Sequence, residues 1–263
     1  MISVKLMGGL GNQLFQIAST YAYAKDNNFE VGFDLSETLL PLQGRPASTY
    51  ERNLYMTLPK IKHEDYSFHT YTEPRWEYDK IPPKDNLLLK GYFQSPKYFD
   101  HRRKDVLSYF LNEEVRIGIL NRLKDAYCVE LKDSVSVHIR RGDYLKFPNI
   151  HPMPPMSYFI ESVRQISEKT PVNCVLVFSD DIDWCKRNIH SPKFRFVEGL
   201  QDYEELLLMS LCSANVICNS SFSWWGAYLN EKVNKIVYAP KKWFGSECKH
   251  DWQSIYTKEM ITL

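Results

Sequence analysis

The stretch Cys174-Val175-Leu176-Val177-Phe178 is apolar without a break and runs directly into Ser179-Asp180-Asp181. Such a run, closed by polar residues, predicts a strand buried on both faces, as in the middle of a parallel sheet. Upstream, Val135, Val137 and Ile139 alternate with Ser136 and His138, which predicts a second strand. Between the two lies Ser157 to Lys169, an amphipathic helix with Phe159, Val163 and Ile166 on one face. Downstream, the pattern predicts a short helix over Ile182 to Asn188 and a strand over Phe194 to Val197. A helix capped by Asp202 runs to Ala214, then come a strand over Val216 to Cys218, a helix opening at Ser223 and a final strand over Ile236 to Ala239. Strands and helices in strict alternation predict an α/β fold with a doubly wound parallel sheet.

The N-terminal half is less regular. Ile2 to Met7 is a short strand, Gly8-Gly9-Leu10-Gly11 a turn, and Asn12 to Asn27 a helix with Leu14, Ile17, Ala18, Tyr21 and Ala22 at helical spacing. With a second strand over Glu30 to Asp34 this opening is a βαβ unit. Residues 35–84 lose periodicity and read as loops with short pieces of structure, a length that suits a functional or inserted surface. Leu87 to Phe93 reads as a strand and Asp100 to Ala126 as mostly helical. The change of texture places a boundary near residues 127–134, giving an N-terminal lobe, 1–130, and a C-terminal lobe, 131–263. No repeat and no low-complexity segment is present.

Composition narrows the function classes. The 263 residues, 44% hydrophobic, are ample for a packed core. A net charge of +1 argues against a general electrostatic grip on nucleic acid or anionic membrane. Aromatic residues make up 14%, which serves sugar clefts and ordinary cores alike. The six cysteines include no C-x-x-C pair and lie mostly in apolar runs, the pattern of reduced thiols in the cytosol. The N-terminus lacks the basic and long apolar regions of a signal peptide. No apolar run approaches the ~20 residues of a membrane span. The expectation is a cytoplasmic protein, or one held peripherally at the inner membrane through a partner or surface patch.

Ligands in such sheets bind beyond the carboxyl ends of the strands, and four segments fall there. Gly8-Gly9-Leu10-Gly11-Asn12-Gln13 lets the backbone approach a phosphate before a helix N-terminus. It is neither a G-x-G-x-x-G fingerprint nor a Walker loop, and a tight structural turn explains it equally well. His138-Ile139-Arg140-Arg141-Gly142-Asp143-Tyr144 leaves a strand with His138 and Arg140 on one face. A guanidinium there matches a diphosphate bidentately; an arginine pair satisfied by acidic partners is the alternative. In Phe178-Ser179-Asp180-Asp181 a carboxylate suits a guanine edge or a ribose. Asp181-Ile182-Asp183 fits a D-x-D metal pattern, and helix capping accounts for the same residues. Asn219-Ser220-Ser221-Phe222-Ser223-Trp224-Trp225-Gly226 offers hydroxyls and amides at a helix start, or simply an N-cap followed by two aromatic core residues.

Taken together, these four segments and the Leu14-Phe15-Gln16 that extends the first resemble the α-1,2-fucosyltransferases of glycosyltransferase family 11. The motifs occur in the family's order over residues 8–229, with His-x-Arg-Arg-Gly-Asp-Tyr and Ser-Phe-Ser-Trp-Trp-Gly the most specific. The resemblance implies the two-Rossmann-lobe architecture of type B glycosyltransferases. It further implies GDP-β-L-fucose as donor, inversion, and an α-1,2 link to a terminal galactose on an oligosaccharide or glycolipid. It implies no cofactor and no metal, which demotes Asp181 and Asp183 as metal ligands. By the same resemblance Arg140 binds the diphosphate and stabilises the leaving group, and His138 bonds the donor nearby. Asp181 reads the guanine, Ser221 and Ser223 hold the phosphates, and Asn12 reaches the β-phosphate. Gly9, Gly11, Arg141 and Phe222 complete the expected donor site. The chain is short for the family, with the shortfall expected in the N-terminal half.

Departure of GDP places negative charge on the β-phosphate and positive charge on the sugar ring. Fixed cations aimed at that phosphate therefore favour the transition state over the ground state. A one-step inversion also uses a proton acceptor, for which Asp143, Asp34 and His151 are the candidates. The acceptor residues are sought in the irregular stretch, at Tyr50, Arg52 and Trp76 with Tyr55 and Tyr78, where a structural lid is the competing reading. Other classes left open are a transferase of another linkage, a metal-dependent one, and a non-catalytic nucleotide- or glycan-binding protein.

Overall fold

The computed structural model describes residues 1–36, 44–111, 113–118, 121 and 131–263. The chain forms two compact units, Met1–Arg116 with His250–Thr257, and Ile117–Lys249 with Lys258–Leu263. The expected cut after residue 130 falls beside residues 122–130, which lie outside the described residues, as do Cys128 and the expected helix end at Ala126. The division also includes a return: His250–Thr257 packs with the first unit, where Ser95 Oγ donates to Ser254 O at 2.7 Å.

In the first unit β1 (Ile2–Val4), β2 (His69–Thr72) and β3 (Leu87–Lys90) form a parallel sheet in the order β1-β3-β2. α1 (Leu10–Asp26) is buried along almost its whole length, so it is a central helix rather than an amphipathic one. Its buried hydroxyls are satisfied by backbone carbonyls, Thr20 donating to Gln16 O at 2.7 Å within the helix and Ser19 to the distant Phe93 O at 3.3 Å. The strand expected over Glu30 to Asp34 is reduced to two isolated bridges, Val31 with Ile2 and Phe33 with Lys60. Because the two residues pair with different neighbours, no continuous ladder forms. β3 stops at Lys90, short of the expected Phe93. The Glu73 carboxylate captures the Tyr92 and Phe93 N–H groups at 2.7 and 3.0 Å, which removes them from the ladder. β2 carries no apolar period in His-Thr-Tyr-Thr and is made a strand by its backbone pairing to β3 alone. The helix expected from Asp100 opens as a 3₁₀ turn, Asp100–Arg102, and continues as α2 (Arg103–Phe110).

The second unit contains β4 (Ser134–Ile139), α3 (Met156–Ser167), β5 (Cys174–Ser179), α4 (Ile182–Asn188) and β6 (Phe194–Phe196). It continues with α5 (Asp202–Leu211), β7 (Ala214–Val216), α6 (Ser221–Tyr228), β8 (Ile236–Ala239) and β9 (Met260–Thr262). All six strands are parallel, in the order β6-β5-β4-β7-β8-β9. This is the 3-2-1-4-5-6 order of a doubly wound nucleotide-binding sheet, whose switch point lies between its first and fourth strands, here β4 and β7. Val135, Val137, Ile139, Val175, Val177 and Val216 join Phe159 and Ile166 of α3 in one core cluster.

Three local expectations are corrected. The strand sought at Val216 to Cys218 begins two residues earlier, at Ala214. Asn215, which falls between the expected helix end at Ala214 and the expected strand, is an internal polar link: Nδ2 donates to Ser136 Oγ and Met209 O, both at 2.7 Å, and Oδ1 accepts from Asn230 Nδ2 at 2.9 Å. The cap of α5 is Gln201 rather than Asp202, its N–H donating to Glu204 Oε2 at 2.8 Å. β9 adds an edge strand too short and too exposed to show a period of its own. Asn215→Ala removes the donor to Ser136 Oγ and Met209 O and the acceptor of one Asn230 Nδ2 hydrogen, and is expected to lower unfolding free energy by about 1–3 kcal/mol. Urea unfolding followed by tryptophan fluorescence measures this, and an unchanged midpoint would refute the link.

The described cysteines are all free thiols. No helix among the described residues is long and apolar enough to cross a membrane.

Candidate active site

β4 is buried from end to end, and its backbone leaves the sheet at Arg140. β7 runs parallel to it with Val137 opposite Val216. Arg140 and Asn219 therefore both lie three residues beyond that register position, flanking the switch point. His138, on the last turn of β4's pleat, is only 5% exposed. Its Nδ1 lies 3.1 Å from Cys218 Sγ, and its ring packs on Phe222 at 5.4 Å. Burial, with a smaller push from the Arg140 charge, lowers its pKa to about 3, so the imidazole is neutral.

Arg140 is held by two carboxylates. Its Nε and Nη2 donate to Asp143 Oδ1 at 3.0 and 2.7 Å, and its Nη1 lies 3.1 Å from Asp180 Oδ2. Burial alone would weaken the charged guanidinium; the charges of Asp180 and Asp143 more than reverse this, and its pKa is raised. Arg141 faces another set of partners. Its backbone N–H donates to Asp180 Oδ1 at 2.8 Å, its Nε to Asp181 Oδ2 at 3.0 Å, and its guanidinium stacks 3.7 Å from the Trp184 ring centre. Asp181 also caps α4 by accepting the Trp184 N–H at 3.2 Å. Both of its oxygens are thus engaged, by groups other than the guanine expected of it. Asp183 sits in the first turn of α4. Among the described residues no group of three or more His, Cys, Asp or Glu side chains is arranged to hold a metal ion.

The α6 N-terminus completes this face. The first-turn amides of a helix have no acceptor inside it and carry a partial positive charge. Here those of Phe222 and Ser223 come after the four residues, 217–220, that leave β7. Ser223 is a correction: its hydroxyl is buried and donates to Ser220 O at 3.3 Å, so its backbone, not its side chain, is the group available to a phosphate. Ser221 and Phe222 are half-buried. Trp224 and Trp225 have no exposed surface and are core residues. Two residues without an assigned role tie the loops together. The Tyr144 hydroxyl donates to Asn219 O at 2.8 Å, and the Tyr144 ring stacks on His151 at 4.6 Å. Asn219 Nδ2 donates to Trp243 O at 2.9 Å, while its Oδ1 is buried without a partner. Tyr144, Asn219 and Asp180 were all legible as members of motifs; their partners became recognisable only through these contacts.

In the first unit the glycine turn is shaped by packing. Gly8 has φ of 75°, a conformation that favours glycine, and a side chain on Gly9's neighbour Gly44 would meet Gly9 Cα at 2.7 Å. Two glutamines fix the turn: Gln13 Nε2 donates to Gly8 O and Arg45 O at 3.0 and 2.9 Å, and Gln16 Oε1 accepts the Met7 N–H at 3.0 Å. Gly11 is buried in α1, and Asn12 Oδ1 accepts from Gln94 Nε2 at 2.6 Å. The expected acceptor residues separate. Tyr50 is wholly buried, edge-on to Tyr55 at 5.3 Å, and is a core residue rather than an acceptor contact. Arg52 is exposed, and half-buried Trp76 stacks on His250 at 5.9 Å. Asp34 is a correction as a proton acceptor: it accepts from Ser36 N and Oγ at 2.9 and 2.6 Å and from His63 N at 2.8 Å. Burial raises its pKa, but these hydrogen bonds outweigh it and lower the pKa overall, as befits a structural knot.

The sequence matches the family model of Glycosyl transferase family 11 over residues 1–263. An alpha-1,2-colitosyltransferase of Escherichia coli is 30% identical, with 97% of this chain and 99% of that protein covered. A galactoside alpha-(1,2)-fucosyltransferase 2 of Oryctolagus cuniculus is 26% identical, with 87% of this chain and 67% of that protein covered. The alignment with the bacterial protein runs over 289 positions, more than the 263 residues of this chain, in keeping with the expected shortness. Among solved structures, the fucosyltransferase NodZ from Bradyrhizobium superposes with a TM-score of 0.54 at 14% identity, over 86% of this chain and 92% of that one, a likeness of fold. A family match along the whole chain, on a fold with parallel sheets whose switch point carries the motif arginine, makes this protein a glycosyltransferase of family 11 with the type B fold.

Proposed function

We propose that the protein transfers L-fucose from GDP-β-L-fucose, with inversion, to the 2-hydroxyl of a terminal β-galactoside on an oligosaccharide or glycolipid, from the cytoplasmic side. The observation that carries this reading is Arg140: a guanidinium kept charged, at the switch point, next to the α6 N-terminus. The diphosphate takes the place of the exposed Asp143 on Arg140, and the amides of Phe222 and Ser223 bind its oxygens. As the fucose–phosphate bond lengthens, charge grows on the β-phosphate, and these fixed groups stabilise it. Neutral His138 orders the pocket floor beneath Phe222. Asp143, once displaced, takes the proton of the attacking hydroxyl.

A second reading concerns the donor alone, and the 30% identity to a colitosyltransferase favours it. Colitose is the 3-deoxy analogue of fucose, so the two donors differ by one hydroxyl. A site that hydrogen-bonds that hydroxyl discriminates far more strongly than one that merely leaves room for it. The test is a screen of GDP-fucose and GDP-colitose against galactose-terminated acceptors, with product linkage determined. The expected result is α-1,2-fucosyl product at full rate in excess chelator. Loss of transfer to chelator would overturn metal independence, preference for GDP-colitose would reassign the donor, and GDP binding without any transfer would leave a binding protein.

A further inference from the structure

We infer that Asp180 is a positioning residue that aims Arg140 at the donor diphosphate. The inference rests on the diphosphate reading above. Register across the sheet sets Ile139 of β4 opposite Ser179 of β5, so the residues that follow, Arg140 and Asp180, leave the sheet side by side. One Asp180 oxygen accepts the Arg141 backbone N–H at 2.8 Å, and the other lies 3.1 Å from Arg140 Nη1. A single carboxylate therefore fixes both the main chain just past Arg140 and the guanidinium itself. Gly142 closes over it: a Cβ at that position would sit 2.4 Å from Asp180 Oδ2. The glycine of Arg-Arg-Gly-Asp thus leaves room for this carboxylate.

The division of labour with Asp143 follows from exposure. The Asp143 side chain is 56% exposed and that of Asp180 24%. Asp143 is the partner a diphosphate can replace, while Asp180 stays and holds one edge of the guanidinium as the others turn to phosphate. A misplacement on the order of 1 Å at a reacting centre costs roughly a hundredfold, and that is the scale on which Asp180 acts.

The test uses the purified full chain and two variants, Asp180→Ala and Gly142→Ala; the second displaces the carboxylate without removing it and guards against a folding failure of the first. Transfer is measured with whichever of GDP-fucose and GDP-colitose the wild type uses, in wild-type and Arg140→Ala backgrounds. Both variants are expected to lower kcat by roughly tenfold to a hundredfold in the wild type and to have almost no effect once Arg140 is gone, because a residue acting through another is non-additive with it. Hydrogen exchange of the peptide spanning residues 139–144 is expected to quicken in both variants, since the Arg141 N–H loses its acceptor. Additive losses, or unchanged exchange, would overturn the inference. If the wild type turns over neither donor, the donor reading falls, and the exchange result alone decides whether Asp180 holds this segment.

Discussion

Arg140→Ala is expected to lower kcat/KM for the donor by at least a hundredfold to a thousandfold, the scale of losing one preorganised donor to a developing oxyanion, roughly 3–4 kcal/mol. The surroundings push the effect upward. The alanine leaves Asp143 and Asp180 facing the diphosphate with no cation between them, where the wild type has Arg140 within 2.7 and 3.1 Å of them. Arg140→Lys should recover less than about tenfold. One ammonium cannot hold Asp180 and span two phosphate oxygens, which the planar fork does. Steady-state rates at saturating acceptor, with circular dichroism as the check on folding, measure both. Near-normal turnover in the alanine variant would remove Arg140 from the mechanism and, with it, the functional reading of the switch point.

Asp143→Asn is expected to change binding and turnover in opposite directions. In the donor-free protein Asp143 competes with the diphosphate for two nitrogens of Arg140. Its side chain is more than half exposed, so the pair it forms is worth only about 0.2–1 kcal/mol. Losing that competitor should tighten GDP binding by roughly twofold to fivefold. As the proton acceptor, the same carboxylate contributes to the chemical step, and its loss should cut kcat by about 10²–10⁴. Calorimetric titration with GDP and initial-rate measurements separate the two effects. Tighter GDP with unimpaired transfer would leave Asp143 as a counter-ion only, and His151, stacked on Tyr144 beside it, would become the candidate base.

Much of the second unit was legible because burial on both faces leaves little freedom in sequence. Cys174 to Phe178 could only be an inner strand, and α4 fell on the expected residues Ile182 to Asn188. Where the reading slipped, a polar residue was buried. Asn215 inside β7 fell between a helix read as far as Ala214 and a strand read from Val216, and its partners Ser136, Met209 and Asn230 are scattered along the chain. The first unit was less legible for the converse reason. β2 is exposed and polar, so only its backbone pairing makes it a strand. Among the site residues, Tyr50 misled because an aromatic residue in an irregular stretch suits a cleft and a core alike; its lack of exposed surface puts it in the core. Trp224 and Trp225 went the same way, which leaves the α6 amides as the part of that motif suited to an anion.

The sequence alone determined that the second unit alternates strand and helix, and that glycines and arginines stand at strand ends. Period and polarity are local, and each segment carries its own burial pattern. Tertiary structure decided the strand order, and with it which ends share the switch point. It also decided which acid holds which arginine. Asp180 lies 39 residues from the Arg141 amide it binds, and only the register of β5 against β4 brings them together. That register is set by packing the whole sheet against its helices, a sum over many side chains that no single segment encodes.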